Sequence, residues 1–158
     1  GWDHSVRIWD LATGRLLHAL HGHQGAVSAL YLLPDEQHVV SASWDHSLII
    51  WHLGSGARRC QLSGHSAPIN AVLATADGRF LISASDDRML KVWDTDAGRE
   101  VRTLIGHQAG VKGCLLSPDS RSVISISAAS AGWPKGSSWI RSIGPTPAAS
   151  GQRSINSS

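Results

Sequence analysis

The sequence predicts an all-β fold that is built from stacked four-stranded units. Trp9, Trp51 and Trp93 are spaced 42 residues apart (51 − 9 = 93 − 51 = 42), and Gly-His pairs recur with the same interval at residues 22, 64 and 106. Inside each interval, short runs of strand-forming residues alternate with turn residues. A fixed period near this length is typical of a propeller blade or of another stacked array.

The composition of the chain excludes several function classes. The formal net charge is only +2 in 158 residues, which is too small for a protein that binds nucleic acid or a membrane surface. No run of about 18 apolar residues and no basic-then-apolar leader is present, so neither a membrane span nor secretion is predicted. Cys60 and Cys114 occupy unrelated points of the repeat and form no disulfide framework. We therefore expect a reduced intracellular setting, in the first place the cytoplasm.

The 42-residue period divides residues 1–127 into four units. Residues 22–63 and 64–105 form whole units, whereas residues 1–21 and 106–127 form incomplete ones. Turn residues divide the first whole unit into four predicted strands, with ends uncertain by about two to four residues. These strands are placed at about Ala26–Leu32, His38–Ser43, Ser47–His52 and Arg58–Leu62. The chain starts with Gly1 and its one methionine is Met89, so we expect translation to begin upstream.

The repeat pattern is lost after residue 127. Ala128 and Ala129 stand where the second unit has two aspartates, and 42 residues after Trp93 the chain has Lys135. Residues 128–158 are mostly Ser, Ala, Gly and Pro, a composition that predicts a disordered tail. The abrupt change also suggests a shifted reading frame or a retained non-coding segment. Before it, the last incomplete unit is expected to leave an apolar face open, with Val111, Leu116, Val123 and Ile124 on it.

Each whole unit carries a histidine, a serine, an aspartate and a tryptophan at the same offsets. They are His23, Ser41, Asp45 and Trp51 in the first unit and His65, Ser83, Asp87 and Trp93 in the second. An indole can only donate, a carboxylate accepts, and a hydroxyl and a neutral imidazole can do both. We therefore predict a chain of hydrogen bonds from Trp to Ser to His to Asp, which fixes the register of the strands. The incomplete units hold one half each, Asp3 with Trp9 and His107 with Ser125.

A serine hydrolase triad is the catalytic alternative, because sets such as Ser41, His23 and Asp45 contain its three residue types. The set recurs with the period, however, and no glycine-flanked nucleophile turn surrounds the serine. His18 and His21 lie close to His23 but lack the ligand spacing of a zinc site. The sequence therefore predicts neither an enzyme nor a metal site nor a cofactor.

The Gly-His opening, the Ser-Ala-Ser-x-Asp segment and the Trp-Asp pairs at Trp9 and Trp93 resemble the WD-repeat family of β-propellers. The first whole unit departs from the pattern with His52 after Trp51, a substitution that the family often tolerates. The resemblance covers residues 1–127 and implies a closed ring, usually of seven blades. We therefore expect a partial propeller, a fragment that needs further blades for closure.

The resemblance also implies a function, that of a protein–protein interaction scaffold whose partners are other proteins or peptides. Narrower versions are the C-terminal sensor of a signalling nucleotidase and the substrate receptor of a ubiquitin ligase. In this family the turns between the second and third strands line a rim where partners commonly bind. Candidate binding residues in these turns are Trp2, His4, Trp44, His46, Asp86 and Arg88. The alternative that both tryptophans only cover a neighbouring turn stays open.

Overall fold

A computed structural model describes residues 2–128 of the chain. These residues form twelve β-strands and no helix, which confirms the all-β prediction. Apart from Ala128, the segment predicted to be a disordered tail lies outside the described residues. Over the described part, no helix is long and apolar enough to cross a membrane.

The strands form four antiparallel sheets that follow one another along the chain. Blade 1 contains β3 (Val27–Leu32), β4 (His38–Ser43), β5 (Ser47–His52) and β6 (Arg58–Ser63). Blade 2 contains β7 (Ile69–Ala74), β8 (Phe80–Ser85), β9 (Met89–Asp94) and β10 (Arg99–Ile105). We call the pair β1 (Ser5–Trp9) and β2 (Leu16–His21) the leading half-blade, and the pair β11 (Val111–Leu116) and β12 (Val123–Ser127) the trailing half-blade. A partial propeller of two complete and two incomplete blades was predicted, and it is confirmed.

The turns between strands repeat with the period of the sequence. His4, His46 and Arg88 adopt left-handed φ angles of 60°, 70° and 73° at the end of the turn between the second and third strands. In blade 1 the His46 amide donates to the Ser43 carbonyl over 3.3 Å. A tight turn that ends in a left-handed residue is a common connection in hairpins. Local turn chemistry therefore places equivalent side chains at the same corner of each sheet.

The hydrophobic core lies between neighbouring sheets, because each sheet buries its faces on the next one. Blade 1 and blade 2 share the largest cluster, which includes Val40, Leu48, Ile69, Leu81 and Trp93. The leading half-blade packs on blade 1 through a second cluster, which includes Val6, Leu20, Val39, Ile49 and Trp51. The trailing half-blade packs on blade 2 through a third, which includes Val111, Leu73, Ile82, Ala84 and Leu90.

The open apolar face predicted for the last unit is only partly present. The prediction is wrong for Val111, which has 0% exposed surface because it packs against blade 2. Leu116 and Val123 are half-buried against the same cluster. Ile124 points to the opposite face of its strand and is 59% exposed. Successive residues of a strand alternate between faces, so one face is covered and the other is open.

Candidate protein-interaction surface

The structure brings the four repeated residues of each whole blade into one hydrogen-bond chain. In blade 1, Trp51 Nε1 donates to Ser41 Oγ over 2.8 Å. Ser41 Oγ lies 2.8 Å from His23 Nε2, and His23 Nδ1 lies 2.8 Å from Asp45 Oδ2. The same three distances in blade 2 are 2.8, 2.7 and 2.6 Å, between Trp93, Ser83, His65 and Asp87.

The direction of each bond follows from the chemistry of the donors. The indole of Trp51 can only donate, so Ser41 directs its own hydrogen toward His23. His23 accepts at Nε2 and therefore donates from Nδ1 to Asp45, which satisfies every group with a neutral imidazole. The serine lies on β4, the tryptophan on β5, the aspartate in the turn between them, and the histidine in the loop before β3. The network therefore fixes the turn at the corner of the blade.

Within the network, the pKa values of both aspartates are lowered and, in blade 2, so is that of the histidine. Burial raises the pKa of the Asp45 carboxyl, but hydrogen bonds outweigh this effect and lower the pKa to about 2. The donors are Ser47, Gln24 and His23. In blade 2, burial lowers the pKa of His65, against the opposing effect of its carboxylate partner. A fully paired network of this kind is suited to holding structure in place.

The turns that hold the network aspartates also carry an exposed aromatic pair. Trp44 of blade 1 is 45% exposed, and Trp2 of the leading half-blade is 81% exposed. Their rings meet edge to face, with centroids 5.2 Å apart and planes at 80°. His4 after the first turn is exposed, and His46 after the second is half-buried. The structure thus brings four of the six candidate binding residues to the corners of two adjacent sheets.

The other two candidates, Asp86 and Arg88, lie in the corresponding turn of blade 2. Asp86 Oδ1 accepts a hydrogen bond from Asn70 Nδ2 over 2.8 Å and forms an ion pair with Lys112 of the trailing half-blade. The carboxylate is therefore occupied in joining two neighbouring sheets. Arg88 is exposed, and its side chain makes no hydrogen bond or ion pair within residues 2–128.

A hydrogen bond between adjacent inner strands also repeats along the array. Ser28 Oγ of blade 1 donates to the Ile69 carbonyl over 2.5 Å, and Asn70 Nδ2 of blade 2 donates to the Val111 carbonyl over 2.9 Å. The two donors are 42 residues apart (70 − 28 = 42), as are the two acceptors (111 − 69 = 42). The contact between consecutive sheets is therefore the same in kind at both junctions.

Sequence reasoning missed an ion pair in blade 2 between a buried lysine and an exposed glutamate. Lys91 is 8% exposed, and its Nζ lies 2.7 Å from Glu100 Oε2 and 3.0 Å from Thr103 Oγ1. One period earlier the position is Ile49, which has no exposed surface. A charge at a position where the repeat predicts an apolar residue is the signal that could have found this pair.

Cys114 and His18 lie outside the hydrogen-bond networks. Burial raises the pKa of the Cys114 thiol to about 12, so the thiolate nucleophile is scarce at neutral pH. Among residues 2–128, no group of three or more His, Cys, Asp or Glu side chains could hold a metal ion. His18, close to His23 in sequence, instead lies 3.1 Å from the Gly54 carbonyl oxygen through its Nε2.

Comparison with known proteins agrees with this geometry. Residues 14–52, 56–94 and 98–137 match the family described as WD domain, G-beta repeat. Each of the first two matches begins before the outermost strand of one sheet and ends with the third strand of the next. Cilia- and flagella-associated protein 52 of Mus musculus is 40% identical over 43 residues, which are 27% of this chain and 7% of that protein. The family match covers most of the chain, which therefore belongs to the WD-repeat family.

Proposed function

We propose that this chain is a non-catalytic protein-interaction module that binds a protein or peptide through the pair Trp2–Trp44. Membership of the WD-repeat family supports an interaction role in general. The observation that carries the proposal is the exposure of the two rings, 81% and 45%, side by side at the corners of adjacent sheets. Tryptophan is enriched among residues that dominate binding energy.

The surroundings of the pair suit a binding site. Asp3 and Arg7 form an exposed ion pair at 2.6 Å, and His4 lies between them in sequence. Interfaces commonly place an aromatic centre inside a polar rim of this kind. The Trp44 amide donates to the Ala26 carbonyl over 2.9 Å, so the backbone that carries the ring is fixed before a partner arrives, and such preorganisation lowers the cost of binding.

The state of the network serines supports a role without catalysis. Ser41 and Ser83 both have 0% exposed surface, and each hydroxyl oxygen already accepts an indole N–H. A nucleophile needs access to its substrate and an oxyanion site beside it. These serines are better suited to linking strands than to attacking a carbonyl.

We also propose the kind of larger protein in which the module acts. A signalling nucleotidase or a ubiquitin ligase would use such a module as its recognition arm, and an intracellular location fits both. The similarity to a cilia- and flagella-associated protein extends over 43 residues, about one repeat, and supports the repeat rather than a shared assembly.

A peptide library displayed on phage would test the tryptophan site. Binders are selected on the intact chain, and their dissociation constants are then measured for Trp2→Ala, Trp44→Ala and Arg88→Ala. We expect each tryptophan variant to lose about tenfold or more in affinity, with an unchanged melting temperature. Val101→Ala is the control, because Val101 is 51% exposed on the outermost strand of blade 2.

Two results would contradict the proposal. Binders that tolerate both tryptophan variants would place recognition elsewhere, and a melting temperature that falls with affinity would make the pair a packing contact. Ester hydrolysis by the wild-type chain that disappears in Ser83→Ala would reject the non-catalytic assignment.

A further inference from the structure

We propose that a groove between blade 1 and blade 2 binds the ammonium group of a lysine side chain from a partner protein. The groove has a volume of about 360 Å³, and all of its lining residues belong to the two whole blades. It is formed by the turn between β3 and β4, by β6, and by the turns that join β7 to β8 and β9 to β10. The turn between β3 and β4 lies at the opposite end of its sheet from Trp44, so the groove is separate from the tryptophan site.

Contacts between the two blades bound the groove. A Cβ atom added at Gly78 would lie 3.4 Å from Pro34 Cδ, so the turns that follow the inner strands β3 and β7 lie side by side. Arg59 Nη2, on the outermost strand β6, lies 2.8 Å from Asp96 Oδ1 in the turn after β9. The lining also includes Leu33, which is 3% exposed. A small concave site that combines apolar lining with a few polar groups is typical of ligand binding.

Thr95 gives the groove a buried polar group that the repeat does not predict. One period earlier the residue is Leu53, which packs against an apolar cluster (95 − 53 = 42). The backbone makes the same contact at both positions, because the Thr95 amide donates to the Arg79 carbonyl over 3.0 Å and the Leu53 amide donates to the Gln37 carbonyl over 2.8 Å. Thr95 is 4% exposed, and its Oγ1 has no hydrogen-bond partner within residues 2–128. Buried polar atoms are nearly always paired, so this hydroxyl points to a ligand that supplies its partner.

The charges around the groove favour a cation. Its lining holds three carboxylates and two guanidinium groups, which sum to −1; they are Asp35, Asp77, Asp96, Arg59 and Arg79. Arg59 is already paired with Asp96. The hydrogen bond from Thr75 is the largest of the effects that lower the pKa of Asp77, so this carboxylate stays charged at neutral pH. The Arg79 guanidinium makes no hydrogen bond or ion pair within residues 2–128, but Asp35 and Asp77 outnumber it.

Three acceptors in the lining have no donor within residues 2–128. They are Asp77 Oδ2, Asp96 Oδ2 and Thr95 Oγ1, whereas both oxygens of Asp35 already accept hydrogen bonds. An ammonium group carries three donors and no acceptor, so its donors match the open acceptors in number. The apolar stem of a lysine side chain can lie along Leu33 while its charged end reaches the carboxylates. A carboxylate ligand would leave the same acceptors unfilled.

Titration of the isotopically labelled full chain, followed by amide NMR at constant ionic strength, tests the ligand. The probe is N-acetyl-lysine methylamide, and its matched controls are the norleucine and glutamate analogues, which remove the positive charge or reverse it. We expect the Thr95 and Gly78 amide signals to shift and to saturate at about millimolar lysine probe, with about tenfold weaker binding of both analogues. A glutamate analogue that binds as tightly as the lysine probe, or the absence of a saturable shift, would overturn the proposal. Trp2→Ala and Trp44→Ala should leave binding of the lysine probe unchanged, so failure of this proposal can be told from failure of the proposed function.

Three substitutions test the groove itself. Thr95→Leu introduces the residue of the equivalent position 53, so it should fold, fill the groove and abolish saturation by the lysine probe. Asp77→Asn keeps the oxygen that Thr75 Oγ1 contacts but removes the charge, and we expect about threefold weaker binding. Asp119→Asn is its matched control, because Asp119 occupies the same turn one period later (119 − 77 = 42), accepts a hydrogen bond from Ser117 Oγ and lies outside the groove. Unchanged affinity in Thr95→Leu or in Asp77→Asn would overturn the proposal.

Discussion

Removing one oxygen atom from blade 2 tests whether the Trp–Ser–His–Asp network stabilises the fold. Ser83 is fully buried, and its Oγ lies 2.8 Å from Trp93 Nε1 and 2.7 Å from His65 Nε2. Ser83→Ala leaves the indole without its acceptor and the imidazole without its donor. Both partners are themselves buried, at 1% and 7% exposed, so water cannot replace the lost oxygen. Each stranded group costs roughly 1–3 kcal/mol, and we expect the free energy of unfolding to fall by about 2–4 kcal/mol.

Urea unfolding followed by circular dichroism measures this loss. With a slope of about 2 kcal/mol per molar, the midpoint should fall by roughly 1–2 M while the slope stays constant. Ser41→Ala should behave in the same way, because Ser41 makes the same two contacts in blade 1. Ser63→Ala is the control, since Ser63 is exposed on β6 and should change stability by less than about 0.5 kcal/mol. A Ser83→Ala variant as stable as the Ser63→Ala control would refute the reasoning.

Two further predictions concern the effect of pH on stability and the close packing of Gly25 against the turn that holds Asp45. Below about pH 6.5, stability should start to fall, because the lowered pKa of His65 lets the unfolded chain take up a proton first. Asp45 adds a second loss of roughly 1–2 kcal/mol between its ordinary pKa of 3.8 and its folded pKa of about 2, discounted for partial solvation. Melting temperatures at pH 7, 5 and 3 measure both steps, and His65→Gln should flatten the first. Gly25→Ala should cost roughly 1–3 kcal/mol in urea unfolding, since an added Cβ would lie 2.7 Å from the Asp45 backbone nitrogen. Gly106→Ala, whose Cβ would meet nothing within 4 Å, should cost less, and equal losses would contradict this reading.

Much of the blade architecture could be predicted because local signals repeat. In the first whole unit, two of the predicted strands have the observed bounds, and the other two differ at Ala26 and Leu62 by one residue each. The proline at residue 34 and the left-handed glycine at residue 56 lie in the turns that separate the strands. The order of the hydrogen bonds could also be reasoned from donor capacity alone, since an indole N–H can only donate.

Other features depend on what lies beside each sheet, which a repeat pattern does not record. The contact between Trp2 and Trp44 joins two different sheets, so neither ring's exposure follows from its own turn. Asp86 occupies the equivalent position, yet its carboxylate is bound by Lys112 of the next sheet. Lys91 is buried where the repeat has an isoleucine, because a glutamate on the adjacent strand pairs with it. Residues 129–158 lie outside the described part, and the disordered tail stays a prediction.

The burial of a repeat tryptophan depends both on its position in the repeat and on the strands that lie beside it. Trp9, Trp51 and Trp93 share one phase, and each ends the third strand of its unit or lies one residue before its end. Their exposures are nevertheless 53%, 2% and 1%. The serine that accepts the indole N–H lies on the second strand, which the two whole blades have and the leading half-blade lacks within residues 2–128. Burial of the indole is therefore a property of the complete four-stranded unit.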